Sequence, residues 1–141
     1  MTREDVRKIL YGYQDAKRKI SRIAMEIKEV ESLKSSISID YSKVRVMTSG
    51  RPDKVTGLID RLSKLEERME TAREEAVLAM ERVTRLIDLV SDETIRTVLT
   101  RRYLMGEAWQ KVSYEMSMDL RWLLRLQAKG IDEIIRKGVW Q

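Results

Sequence analysis

The chain has 141 residues, which suits one domain or one small domain with an appendage. Charged residues make up 36% and hydrophobic ones 43%, enough apolar material for a packed core, which argues against disorder. The chain has no Cys and no His, which excludes disulfides, thiolate metal sites and imidazole catalysis, and its net charge of +5 favours anionic partners. A cysteine-free chain fits the reducing cytosol, so a cytoplasmic location is expected. No apolar run approaches the roughly 18 residues a membrane span needs and no signal peptide is visible, so no membrane partner is expected.

Residues from about 2 to 38 predict one long helix. Thr2 can cap it, and Glu4 and Asp5 favour its positive end. Val6, Ile9, Tyr13, Ala16, Ile20, Ile23, Ile27 and Val30 follow alternating steps of three and four, a heptad seam. Lys34 interrupts the seam, and Gly12 is a weak point beside it. Residues 38–53 predict a connector, with Val44 and Val46 able to form a short extended piece and Thr48 to Asp53 supplying turn formers and the single Pro. It reads first as a plain loop, with a segment whose Lys43, Arg45 and Arg51 touch phosphate or a protein partner as the alternative.

A second long helix is expected from Lys54 to about Val90. Val55, Leu58, Leu62, Leu65, Met69, Ala72, Ala76, Ala79, Val83, Leu86 and Val90 keep the three–four alternation throughout. Charges of both signs cover its other faces, as on a solvated coiled coil. Each helix would be roughly 55 Å long at 1.5 Å per residue. The connector lets them fold back antiparallel. Leftover apolar positions such as Ile59, Met80 and Ile87 could support a homo-oligomer through the long helices.

Ser91 can cap the next helix, with Asp92 and Glu93 in its first turn. Ile95, Val98 and Leu99 lead into Arg101-Arg102-Tyr103-Leu104-Met105, and Gly106 ends the helix at its C′ position. Ala108, Trp109, Val112 and Met116 then lie on one face of a short helix. Ser117-Met118-Asp119 is a break, with Asp119 placed as the next N-cap. From Leu120 to Lys129, Leu123, Leu126 and either Leu120 or Leu124 can face inward, while Arg121, Arg125 and Lys129 share an outward face. The Gly130 that follows predicts an end or a bend, after which Ile131, Ile134 and Ile135 turn inward and Trp140 packs. Two short helices, a tight turn and a basic second helix predict a helix-turn-helix, whose second helix enters a DNA major groove. The plainer alternative is a two-helix corner with a solvated cationic face.

The expected fold is therefore all-α. A long antiparallel helical hairpin spans residues 1–90, and a small helix-turn-helix domain spans 91–141. Residues 96–141 hold nine Lys and Arg against five Asp and Glu, whereas residues 1–95 hold nineteen against eighteen, so the basic excess sits with the motif.

The stretch VLTRRYLMGEAWQKVSYEMSMDLRWLLRLQAKGIDEI resembles region four of bacterial sigma factors. Leu99, Arg102, Tyr103 and Gly106 match that family's Leu-x-x-Arg-Tyr-x-x-Gly segment, Val112 its inward aliphatic residue, and Ala128-Lys129 its Arg/Lys-Ala tail. The whole chain, including YSKVRVMTSGRPDKV, is similar to the short sigma-like regulators of Gram-positive phages and prophages, the ArpU and RinA type. Asp119 stands where the family usually has Ser or Thr, Leu120 and Leu124 where it often has polar or basic residues, and Gly130 where it has Ala.

The resemblance implies transcription regulation, with double-stranded DNA as partner and RNA polymerase as a second one. Arg121 and Arg125 are the candidate base readers, because Arg can hold guanine O6 and N7 with two hydrogen bonds. Arg101, Arg102, Lys111 and Lys129 are the candidate phosphate contacts. No nucleophile–base pair, phosphate loop or dinucleotide turn is present, so neither an enzyme nor a cofactor is expected. The alternatives are a phage DNA-packaging recognition subunit of the small-terminase kind and a coiled-coil adaptor without DNA binding.

Overall fold

The computed structural model describes residues 1–43 and 50–138, with side chains over 1–36 and 54–138. The protein is all-α, with no strand among the described residues. Helix α1 spans Arg3–Lys43 and α2 spans Gly50–Asp88; α3, Glu93–Leu99, runs into a π-helical turn, Thr100–Leu104; α4 is Trp109–Met116 and α5 is Leu120–Gly138.

The N-terminus of α1 is capped as the sequence predicts. Asp5 N–H donates to the Thr2 hydroxyl at 3.1 Å, and Thr2 N–H donates back to the Asp5 carboxylate at 2.8 Å. Those bonds hold the Asp5 carboxyl below its ordinary range. Helix α1 continues to Lys43, past the expected end near residue 38, and α2 begins at Gly50 rather than Lys54. Pro52 falls in the first turn of α2, where a backbone N–H has no intrahelical partner to lose. The extended piece expected at Val44 and Val46, the side-chain roles of Lys43, Arg45 and Arg51, and the packing of Trp140 lie outside the described residues.

Contacts divide the chain into two compact units, Arg18–Glu74 and Met1–Lys17 with Glu75–Gln141. The first has a small core of Ile23, Met69 and Ala72, with Ile20 and Ile27 packed against it. In the second, Val6 and Leu10 of α1 share one core with Val83, Leu86, Ile87 and Val90 of α2 and with Ile95, Val98, Leu99, Tyr103, Val112, Leu123, Leu126, Ile131 and Ile134. The sequence expectation sets a limit at residue 90; this core runs across that position. Ile87, expected to be available for self-association, is buried in it, whereas Ile59 and Met80 are exposed.

Between α2 and α3 the backbone is held by side chains. Leu89 and Val90 close a last tight turn onto the carbonyls of Leu86 and Ile87. The carbonyls that α2 leaves open are taken up by cations: Arg96 donates to Asp88 and Val90, and Lys137 to Leu89. The cap of α3 is Asp92, one residue later than expected, its carboxylate accepting from Ile95 N–H at 3.1 Å. Ser91 instead ties down α5, its hydroxyl donating to Glu133 at 2.6 Å.

Candidate nucleic-acid interface

The predicted motif is α4, a three-residue turn and α5. Helix α4 has Ala108 as its N-cap, whose carbonyl accepts from Val112 N–H, and buries Val112, with Trp109 and Met116 packed at the edge of the core. It stops at Ser117, which lies in the left-handed region at φ 52°. Met118 N–H donates to the Ser113 carbonyl at 3.0 Å, and the Ser113 hydroxyl returns to the Met118 carbonyl. The Asp119 carbonyl then accepts from Leu123 N–H and opens α5.

Upstream, Gly106 adopts φ 70°, as its predicted C′ place requires. Gln14 of α1 donates to the free carbonyls of Tyr103 and Leu104, both at 3.2 Å. A Cβ on Gly106 would stand 2.7 Å from the Gln14 amide oxygen. Tyr103 is buried and donates to Gln127 of α5 at 2.6 Å. Burial pushes its phenol above the ordinary range, so it is a permanent donor.

Helix α5 buries Leu123, Leu126, Gln127, Gly130, Ile131 and Ile134. It does not end at Gly130, where the sequence predicts an end or a bend, but runs on to Gly138. Gly130 is where α3 approaches: a Cβ there would meet Ile95 Cγ2 at 2.7 Å and Leu99 Cδ1 at 3.2 Å. Leu120 and Leu124, one of which was expected to face inward, are both exposed, at 41% and 43%. The inward arc is already filled by Leu123, Leu126 and Gln127.

Arg121, Arg125 and Lys129 are exposed on the outward side of α5, one turn apart, and Lys111 is exposed on α4. None of the four has a hydrogen-bond or ion-pair partner among the described residues. From Leu120 through Ile131 the helix carries no carboxylate. The next one, Asp132, is neutralised by Arg3 at 2.7 and 2.8 Å, which lowers its pKa. Glu115 and Asp119 are the exposed acids nearest in sequence.

Arg101 and Arg102 stand elsewhere. Arg101 is 32% exposed and pairs with Glu107 at 3.0 Å. Arg102 donates to the Glu107 carbonyl, and its guanidinium lies over the rings of Trp109 at 5.2 Å and Tyr11 at 5.9 Å. Both cations thus brace the π-helical turn against its surroundings, while Arg121, Arg125 and Lys129 are left free on one face.

Three features of the site escaped sequence reasoning. Trp122 is 47% exposed beside Arg121, and completing the inward arc of α5 would have turned it outward. The Gln14 cap and the Tyr11 edge contact to Tyr103, with centroids 5.2 Å apart, join residues far apart in the chain and have no local signal. Among the described residues no cluster of acids is disposed to hold a metal ion, and no helix is long and apolar enough to cross a membrane. No family model matches the chain, and neither a curated protein nor a solved structure matches it.

Proposed function

We propose that the protein is a sequence-specific DNA-binding transcription regulator that lays α5 in the major groove of double-stranded DNA. One observation carries this reading: Arg121, Arg125 and Lys129 stand exposed and unpaired on a carboxylate-free stretch of α5. An acid-free row of cations is what a phosphate-walled groove attracts, and Arg supplies the fork that guanine accepts. Arg121 and Arg125 read base edges, and Lys111 and Lys129 hold phosphates and set register. The internal bonds of Arg101 and Arg102 give them a bracing role in place of phosphate contact. The likeness to sigma region four makes RNA polymerase the second partner to test, in the cytoplasm. The reading includes no enzymatic step and no cofactor.

Selection of bound sites from a random duplex pool is the test. A short consensus containing guanine supports the reading; a pool that stays random after repeated rounds contradicts it. A second reading, a DNA-packaging recognition subunit, uses the same face and draws support from exposed Met25, Leu33 and Ile59 on the long helices, which suit assembly. A ring of eight or more copies in solution would favour packaging; a monomer or dimer favours regulation.

A further inference from the structure

The exposed apolar side chains of α5 are interleaved with its free cations. Leu120 and Leu124 form a row four residues apart, beside the Arg121–Arg125 row. Successive helical residues are turned by about 100°. Leu124 therefore flanks the arginines on one side and Trp122 on the other. Single exposed leucines are ordinary on a protein surface. Three exposed large apolar residues in the first five of one helix, Leu120, Trp122 and Leu124, together with Leu124's unpaired cationic neighbours, form a surface of mixed character.

The occupant has to be polyanionic, because Arg121, Arg125 and Lys129 face it with no acid among them. It also has to offer apolar groups within a helical turn of its hydrogen-bond acceptors. The major groove combines the two: guanine presents O6 and N7, and thymine presents its 5-methyl group. We propose that α5 reads thymine methyl groups through Leu124 and Trp122 next to the guanines held by Arg121 and Arg125. This rests on the DNA reading above and assigns a second base to the site.

The probe is the tightest duplex recovered from the random pool, compared with a copy in which every thymine is replaced by deoxyuridine. The copy keeps its pairing and loses only the methyl groups. Anisotropy titrations at one salt concentration should show the protein binding the methyl-free copy about four-fold more weakly per contacted methyl, the ratio expected for burying one methylene-sized group. Leu124→Ala, checked for unchanged helix content, should lower that ratio by about four-fold, by loss of its own methyl contact, and Leu124→Ala combined with Trp122→Ala should bind both duplexes within about two-fold of each other. Equal binding of both duplexes by the unaltered chain would overturn the inference, as would a consensus without thymine or full discrimination retained in Leu124→Ala. Self-association abolished by Leu124→Ala with the duplex ratio unchanged would hand the patch to a second copy and also overturn it. Failure to bind any duplex at low salt would instead remove the DNA reading itself, a different result from insensitivity to the methyl groups.

Discussion

Gly130 decides how closely α5 lies on α3. A methyl group there would gain about 1 kcal/mol of helix propensity. It would also press on Ile95 Cγ2, 2.7 Å away, a branch methyl on a side chain that helices hold in one rotamer. Overpacking of this kind costs about 1–3 kcal/mol. The steric effect should win, so Gly130→Ala should lower the melting temperature. Gly12 is the internal control, because a Cβ there meets nothing within 4 Å. Gly12→Ala should raise stability by about 1 kcal/mol. Thermal unfolding of the two variants checks the signs; a stabilised Gly130→Ala would mean the α3–α5 contact is looser than described.

Glu133 works at the scale of elements, joining α5 to the end of α2. Its carboxylate is 13% exposed, pairs with Lys137 at 2.7 Å and accepts from Ser91. The Lys137 bond and then the Ser91 hydroxyl hold its pKa down to about 2, against an ordinary 4.5. The unfolded chain therefore binds more protons at this position than the folded one between those values. The stability that Glu133 contributes is present above about 4.5 and is lost as pH falls toward 2. Denaturant titrations from pH 5 to pH 2 should show Glu133→Gln less stable at neutral pH and flatter across that window; an unchanged acid slope would show that the carboxylate is not held by these partners.

Legibility in the sequence also differs from element to element. The seam of α2 was readable, since every predicted inward position from Val55 to Val90 is buried or half-buried. Leu10, Ile87 and Leu89 were not, because a heptad pattern describes one partner helix. The start of α1 and the end of α2 are also packed by α3–α5, which widens the buried arc there. The turn Ser117–Asp119 and the outward row of α5 followed from local spacing. The placing of Arg101 and Arg102 did not, since their partners Glu107, Trp109 and Tyr11 come from a turn and a distant helix.

At the scale of the whole chain, the basic excess lies in residues 96–141, and within that stretch Lys111, Arg121, Arg125 and Lys129 are among the cations with no hydrogen-bond or ion-pair partner among the described residues. Different cations should have different consequences. Phosphate contacts should govern salt dependence, each contributing about 0.9 to the slope of log affinity against log salt. Base contacts should govern the choice of sequence. The most direct measurement is the affinity of Arg121→Ala and Arg125→Ala for the selected duplex and for a scrambled one, at one fixed salt concentration. Each substitution should weaken the selected duplex by about 1–3 kcal/mol and bring it toward the scrambled one. Wild-type affinity and discrimination in both variants would contradict the assignment of α5 as the reading helix.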